Sequence, residues 1–242
     1  MIAIKIDNLT KRYRDVTAVD NLSLTINQGE LFSLLGVNGA GKTTTIKMLS
    51  CLSEPTEGEA FLLGKSIIKD TADVKSFIAV SPQETAVAPK LTVRENLELI
   101  CGIYAFSKAQ TEEKIRELSN TLSLNSVIDK KAGKLSGGYA RRLSIAMSLI
   151  CEPKILFLDE PTLGLDVIAR SELWDIIRSL KGKVTIILTT HYMEEAEELS
   201  DRIAIMKDGK LLICDTPDAI KLHTGEDSIE KAFIHIVKGE RI

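Results

Sequence analysis

The segment Gly36–Thr43, with the sequence GVNGAGKT, constrains the fold of this chain more than any other stretch. It has the form G-x-x-x-x-G-K-[ST], in which glycines let backbone N–H groups turn inward around phosphate oxygens. The apolar run 31–35 before it predicts a buried strand, and residues 44–49 after it predict a helix. A helix N-terminus carries a partial positive charge that favours an anion. The motif and its flanks therefore predict an α/β nucleotide-binding fold.

Two side chains of this motif carry chemistry of their own. Lys42 is placed to reach the terminal phosphates of a nucleotide, and the Thr43 hydroxyl is placed to ligate Mg²⁺. The alternative is a glycine-rich turn that matches by accident, which in a chain of this length happens on the order of once in a hundred. The flanking strand and helix make the accident rarer still, so nucleotide binding is the favoured hypothesis.

Composition excludes several other classes of protein. The 242 residues suffice for one large α/β domain or for a core with a subdomain. The net charge of −3 gives no general reason to expect nucleic-acid binding. No apolar run approaches the roughly 18 residues that cross a bilayer, and charged residues interrupt the N-terminal segment where a signal peptide needs an apolar core. We therefore expect a cytosolic protein, with any membrane role supplied through a partner.

Two acidic residues follow a second strongly apolar segment. The run 155–158 predicts a central buried strand, and Asp159 and Glu160 stand at its C-terminal end. Ligands of open α/β sheets bind at that end of the strands. Asp159 is placed to hold a metal through its water shell, and Glu160 to polarise water for attack on a γ-phosphate. A solvated turn is the alternative, but the phosphate-binding motif favours the catalytic interpretation.

Four further positions have both a functional and an ordinary structural interpretation. Tyr13, beside basic residues, is either a strand aromatic or a residue that stacks on a purine. Gln83 is either a solvated loop residue or a group that ligates Mg²⁺ or orients water. The loop 136–138 (Ser-Gly-Gly) is either a capped turn or a second phosphate-binding loop. His191, after the strand predicted over 184–190, is either structural or a γ-phosphate contact.

Helical periodicity replaces the α/β pattern in the middle of the chain. Residues 92–95, Thr-Val-Arg-Glu, predict a capping box that opens a helix. A second amphipathic helix follows, with apolar residues at helical spacing between 115 and 122. Further on, Asp166 is placed as a helix N-cap, residues 203–213 predict a hairpin, and a terminal amphipathic helix includes Phe233.

Together these segments resemble the nucleotide-binding subunit of ATP-binding cassette (ABC) transporters, with every motif in family order over about residues 2–220. Gly36–Thr43 resembles the Walker A motif and 155–160 the Walker B motif. Leu135–Tyr139 is similar to the family's signature loop, which is more discriminating than Walker A alone. Gln83 matches the Q-loop, Leu163–Asp166 the D-loop, His191 the switch histidine and Tyr13 the aromatic that stacks on adenine.

The resemblance implies a P-loop NTPase (RecA-like) α/β core with an antiparallel β subdomain and an inserted α-helical subdomain. The ATPase domain then spans 1–222, with the helical subdomain at about 84–150, and a C-terminal helical tail spans 223–242. The implied assembly is a head-to-tail homodimer or heterodimer with two ATP molecules at its interface, bound to a transmembrane permease and not to nucleic acid. Such a subunit lies in the cytoplasm, peripheral on the inner face of the cell membrane.

The resemblance also assigns roles to individual residues. The implied catalytic residues are Glu160 as general base, with His191, Gln83 and Lys42. Residues implied to bind ATP are Tyr13, Gly36, Val37, Asn38, Gly39, Ala40, Gly41, Lys42, Thr43, Thr44, Ser136, Gly137, Gly138 and Asp166, and those implied to hold Mg²⁺ are Thr43, Gln83 and Asp159. One departure is Tyr139, which stands where the signature usually ends in glutamine.

The direction of transport rests on two further segments. The Ser-Pro-Gln loop at 81–83 and the ending 227–233 resemble cassettes of the type-two exporter branch. Three alternatives remain: an importer subunit, an ABC-type ATPase that acts on ribosomes or DNA, and a regulatory module that holds ATP without turnover. The substrate cannot be read from this chain, because substrate contacts belong to the permease.

Overall fold

The structure, a computed structural model, describes residues 1–239. The strands are β1 (Ile2–Tyr13), β2 (Val16–Asn27), β3 (Leu31–Leu35), β4 (Glu57–Leu62), β5 (Lys65–Ser66), β6 (Ile78–Ser81), β7 (Ile155–Asp159), β8 (Thr185–Thr190), β9 (Arg202–Lys207) and β10 (Lys210–Asp215). The α-helices are α1 (Lys42–Leu49), α2 (Thr71–Phe77), α3 (Val93–Ile103), α4 (Lys108–Thr121), α5 (Gly137–Leu149), α6 (Val167–Leu180), α7 (Met193–Leu199), α8 (Pro217–Thr224) and α9 (Ile229–Lys238). The predicted fold class is confirmed.

The larger sheet has the strand order β10-β9-β3-β8-β7-β6. Its strands pair in parallel, except that β10 pairs antiparallel to β9 at one edge. Every residue of β3, β7 and β8 is buried, because apolar clusters cover both faces of the sheet. The carboxyl ends of these three strands therefore lie side by side, at the edge where such sheets bind ligands.

The smaller sheet is antiparallel, in the order β2-β1-β4-β5. Ile4 of β1 pairs with Ile26 on one side and with Leu62 on the other. Its inward side chains join the apolar cluster that includes Phe32 of β3 and Ile46 of α1. The sheet is therefore packed over the phosphate-binding loop, and β1 ends there at Tyr13.

The predicted helical insertion, α3 to α5, lies between β6 and β7. Thr92 and Glu95 form the predicted capping box at the start of α3, and Ser107 forms another with Gln110 at the start of α4. Apolar side chains of all three helices join the cluster that contains Leu156 and Leu158 of β7. Since Ile155 and Phe157 belong to the other cluster, the insertion covers the sheet face opposite the antiparallel subdomain.

The pattern at 77–80 predicts a strand, and the structure has one over Ile78–Ser81, one residue later, because Phe77 ends α2. The sequence does not predict helix α2, because among its residues 71–77 only Val74 is buried and no apolar periodicity results. A turn is expected over 55–58, but β4 begins at Glu57, which pairs with Thr10. Long-range pairing with β1 thus overrides the turn propensity of the Pro and Gly residues there.

The C-terminal helices pack on the sheet. α8 begins with a Thr216 cap and a proline at its first position, and it crosses the predicted domain boundary at 222/223. In α9, Ile229 and Phe233 are buried in a cluster with Leu35 at the end of β3. Residues 240–242 of the predicted tail lie outside the described residues. Within 1–239, no helix has both the length and the apolar character that spanning a membrane requires.

Candidate functional site

The loop between β3 and α1 takes its shape from its glycines. Gly41 directly precedes α1 with a φ of 100°, a conformation that side chains with a Cβ rarely adopt. A Cβ at Gly41 would lie 2.4 Å from the carbonyl oxygen of Ala18, and one at Gly36 would lie 2.5 Å from that of Met206. Glycine is therefore required at both positions by the backbone of neighbouring strands, as well as by any phosphate in the loop.

Lys42 is a buried cation folded over its own loop. Its side chain Nζ donates to the carbonyl oxygen of Gly36 at 2.7 Å and to that of Val37 at 3.2 Å, and the residue is 4% exposed. Burial lowers the pKa of Lys42, and the nearby carboxylate of Glu160 acts in the opposite direction. Two of the three ammonium donors are thus occupied. The remaining donor can serve an anion that enters the site.

Asp159, the last residue of β7, lies against the start of α1. One of its oxygens, Oδ1, accepts hydrogen bonds from the hydroxyl of Thr43 at 3.2 Å and from the hydroxyl of Thr189. A carboxylate and a hydroxyl side by side are the hard oxygen ligands that Mg²⁺ prefers. The residues therefore fit a magnesium ion.

Glu160 follows in a strained backbone conformation, with a φ of 46°. Its N–H donates to the carbonyl and hydroxyl oxygens of Thr189, at 3.1 and 3.0 Å. Its carboxylate lies between two nitrogens, with Oε1 3.6 Å from Lys42 Nζ and Oε2 3.3 Å from His191 Nδ1. The carboxylate of Glu160 lies at the cavity that the glycine loop also lines.

A cavity of about 720 Å³ brings these groups together. Its lining includes the predicted site residues Tyr13, Asn38, Gly39, Ala40, Gly41, Lys42, Thr43, Thr44, Gln83, Glu160 and His191, together with Val16, Thr17, Ala18, Leu163 and Asp208. These residues come from β1, β2, the glycine loop and the start of α1, the segments that follow β6, β7 and β8, and the turn between β9 and β10. One pocket thus holds a glycine cradle, a buried ammonium, a carboxylate and an imidazole.

The second predicted loop lies elsewhere. Ser136 and Gly137 are exposed at the start of α5 and do not line the cavity. A Cβ at Gly138 would lie 3.1 Å from that of Ala169 in α6. Asp166 caps α6 as predicted, accepting a hydrogen bond from Ala169 N–H at 2.9 Å. These residues form a separate surface where α5 and α6 begin, so one copy of the chain does not assemble all of the predicted ATP contacts.

Two residues that hold the site in place without lining the cavity are also absent from the sequence-based prediction. Thr189 holds both Asp159 and the backbone of Glu160. Its signal in the sequence is a polar pair, Thr189-Thr190, that follows the apolar residues 186–188 at the end of β8. Arg141 donates to the main-chain carbonyl oxygens of Pro82 and Gln83. No local pattern marks Arg141, because its partners lie 58 and 59 positions away.

A buried carboxyl group lies behind the site on α7. Glu195 is 0% exposed; its Oε1 accepts from the indole N–H of Trp174 at 3.0 Å. Its Oε2 and the nearby hydroxyl of Thr162 have no hydrogen-bond partner within the described residues. Burial raises the pKa of Glu195. The folded protein therefore binds a proton on this acid more tightly than the unfolded chain does.

We expect Glu195→Gln to stabilise the protein increasingly as pH rises. The pKa in the folded state exceeds that of the unfolded chain, so the folded state binds the proton more tightly and the stability contributed by this acid falls as pH increases. Glutamine stays neutral and removes that loss. Thermal unfolding from pH 5 to 8 measures the difference in Tm between variant and wild type. Glu198→Gln, which removes an exposed carboxylate from the same helix, is the control; equal pH profiles for the two variants would contradict the prediction.

Comparisons with known proteins agree on one family. A family model described as "ABC transporter" matches residues 19–163. The chain is 38% identical over 240 residues to a probable multidrug ABC transporter ATP-binding protein of Escherichia coli, covering 97% of this chain and 41% of that protein. It is 40% identical over 229 residues to a daunorubicin resistance ATP-binding protein of Streptomyces coeruleorubidus, covering 94% of this chain and 72% of that one. The chain therefore spans about two fifths of the first relative's length.

A similar solved structure is that of a dimeric ATP-binding cassette in a post-hydrolysis state with ADP and phosphate bound. The two folds superpose with a TM-score of 0.78 at 29% identity, over 88% of this chain and 98% of the other. The likeness extends over the parallel sheet, the antiparallel subdomain and the helical insertion together, since it covers most of both chains.

Proposed function

This chain belongs to the ABC transporter family, and from that premise we propose that it is an ATP-binding and ATP-hydrolysing subunit that powers export through a separate membrane permease. The observation that carries the proposal is the convergence of Lys42, Glu160 and His191 on one cavity beside the glycine loop. A module that only holds nucleotide needs the cradle and the ammonium. It does not need a carboxylate held at the same cavity by a residue in a strained backbone conformation.

In the proposed reaction the loop Gly36–Thr43 binds the phosphates through its backbone N–H groups and the Lys42 ammonium. Tyr13, 46% exposed at the rim, stacks on the adenine. Glu160 accepts a proton from the attacking water. The water oxygen forms a bond to the γ-phosphorus, and the bond from the γ-phosphorus to the oxygen that leaves with ADP breaks. His191 and Gln83 orient the γ-phosphate and that water.

Mg²⁺ bound in such a site would supply positive charge beside the phosphates of a nucleotide. Thr43 and Asp159, whose oxygens are 3.2 Å apart, would hold it, with the amide of Gln83 as a further ligand. We therefore expect ATP hydrolysis by the purified chain to depend on magnesium. Steady-state phosphate release with Mg²⁺, and with EDTA added, measures this. Binding of ATP without release under either condition would instead favour a regulatory module.

A second cassette completes the proposed site. Ser136, Gly137, Gly138 and Asp166 lie on a separate surface of this chain, and the similar solved cassette is a dimer. We propose a head-to-tail dimer, of two copies or of this chain with a related one. Two ATP molecules then lie between the glycine loop of one subunit and the loop 136–138 of the other.

The permease partner is supported by a second, more apolar cavity of about 480 Å³ between β6 and the helical insertion. Ile103 and Tyr104 line it and are exposed by 70% and 50%. Pro82 also lines it, next to Gln83, which lines the nucleotide cavity. We propose that a cytoplasmic segment of the permease binds here, so that the chain is held at the inner face of the membrane. Co-purification with a neighbouring membrane protein would test this, and Ile103→Asp should abolish it.

The direction of transport and the domain boundaries complete the proposal. The relatives' names refer to multidrug transport and daunorubicin resistance, which supports the type-two exporter branch over an importer. The overall charge of −3 gives no support to a cassette that acts on ribosomes or DNA. We propose an ATPase domain over 1–222, its helical subdomain at about 84–150, and a tail from 223.

A further inference from the structure

Arg141 is a buried cation whose surroundings contain no ion-pair partner within residues 1–239. The residue is 5% exposed and lies one helical turn into α5. Its guanidinium donates through Nη1 to the carbonyl oxygen of Pro82 at 2.6 Å and through Nη2 to that of Gln83 at 2.5 Å. Burial lowers the pKa of Arg141, with the carboxylate of Asp159 acting in the opposite direction. Two consecutive main-chain carbonyls thus take the place of a counter-ion.

Those two carbonyls begin a segment that has few other attachments. In the described chain, residues 83–87 make no main-chain hydrogen bond to other main-chain groups. The strand before them is tied to α5 by the hydroxyls of Ser81 and Ser144, 3.1 Å apart. The segment is tied again at Ala88, whose main chain bonds to the amide of Asn96. Arg141 therefore provides the hydrogen bonds that fix the main chain at Gln83.

Stability alone does not explain an arginine here. Burying a guanidinium without a carboxylate costs free energy, and apolar side chains of similar volume often replace buried charges without loss of stability. The segment that Arg141 holds is near the protein surface, since Gln83 is exposed and Pro82 is half-buried. A planar fork of donors does, however, match two adjacent carbonyls in a way that a lysine cannot.

We propose that Arg141 is a positioning residue for Gln83, holding its main chain so that the amide stays at the nucleotide cavity. This inference rests on the proposed function. Because α5 begins at the loop 136–138, the same rigid helix joins the loop proposed to complete the partner's site to Gln83 in this chain's own site. A displacement of that loop is thereby passed to Gln83 through a single side chain.

The test uses Arg141→Met in the full chain. We expect kcat for ATP hydrolysis to fall about tenfold or more, since small misplacements of catalytic groups have effects of this order, while ATP affinity changes less than about twofold. Arg141→Lys, which can reach one carbonyl, should recover part of the rate. The matched control is Arg142→Met. It removes the adjacent buried guanidinium, which pairs with Glu172 and lies over the ring of Tyr139 rather than contacting the segment at 82–83, and kcat should fall much less than in Arg141→Met.

A double variant separates positioning from a general structural effect. If Arg141 acts through Gln83, Arg141→Met combined with Gln83→Ala should turn over no more slowly than Gln83→Ala alone. Multiplicative losses, or equal losses of kcat in the Arg141 and Arg142 variants, would overturn the inference.

A readout independent of turnover distinguishes this inference from the proposed function. A Glu-specific protease should cleave after the exposed Glu84 several times faster in Arg141→Met than in wild type or Arg142→Met, because the segment is released. An unchanged rate of cleavage in Arg141→Met would overturn the inference that Arg141 fixes this segment. Absence of phosphate release from the wild-type protein would instead overturn the proposed function, and the protease comparison would still decide whether Arg141 holds Gln83 in place.

Discussion

Glu160→Gln should reduce steady-state ATP turnover by about 10²- to 10⁴-fold while leaving ATP binding intact. Glutamine has the same shape as glutamate but cannot accept the proton of the attacking water. The carboxylate lies 3.3 Å from His191 Nδ1 and 3.6 Å from Lys42 Nζ, so the amide can occupy the same position. Phosphate release measures turnover, and equilibrium binding of a fluorescent ATP analogue measures affinity.

The same variant should accumulate an ATP-bound dimer. We propose that ATP binding closes the dimer of two cassettes and that hydrolysis reopens it, so a chain that binds ATP without cleaving it stays closed. Size-exclusion chromatography with and without ATP would show the dimer. Glu113→Gln, which removes an exposed carboxylate from α4, is the control and should hydrolyse ATP at the wild-type rate. Unchanged turnover in Glu160→Gln would show that another group is the base.

The parts of the site that could be predicted from sequence are those that depend on local pattern. The glycine loop, the strand before it and the helix after it are contiguous in the sequence, so a local motif predicts that they bind phosphate. Asp159 and Glu160 are recognisable because an unbroken apolar run of a strand buried on both faces ends in two charges. The capping box at 92–95 and the hairpin at 203–213 are equally local, and the structure contains both.

The parts that could not be predicted depend on distant segments. The order of strands in the sheet decides whether Tyr13, Gln83 and His191 come together. That order is not local, since β3 lies between β8 and β9 although more than a hundred residues separate β3 from either strand in the sequence. From the sequence alone, Arg141 is an ordinary charged residue of a helix, and only the structure shows that it binds the carbonyl oxygens of Pro82 and Gln83. The same holds for Glu57, whose place in a strand is decided by β1.

Gly41→Ala should abolish measurable ATP binding and lower the thermal stability of the protein. The added Cβ would lie 2.4 Å from the Ala18 carbonyl oxygen. The alanine would also have to adopt the backbone φ of 100° that Gly41 has. Since Ala18 follows the start of β2, the loop cannot relieve the contact without moving away from the antiparallel sheet or turning its N–H groups away from the phosphates. Either movement removes the cradle. Binding of the fluorescent ATP analogue, with thermal unfolding in parallel, measures both effects.

Gly64→Ala is the matched control, because it separates backbone strain from steric contact. Gly64 has a φ of 81°, and a Cβ there would meet nothing within 4 Å. It lies in the tight connection between β4 and β5, away from the cavity. The conformational strain is therefore similar, of about 1 kcal/mol, and the clash is absent. We expect Gly64→Ala to lower the Tm slightly and to bind ATP like wild type. If both variants bound ATP normally, the loop would be adaptable, and the packing of β2 against it would not be what shapes the phosphate cradle.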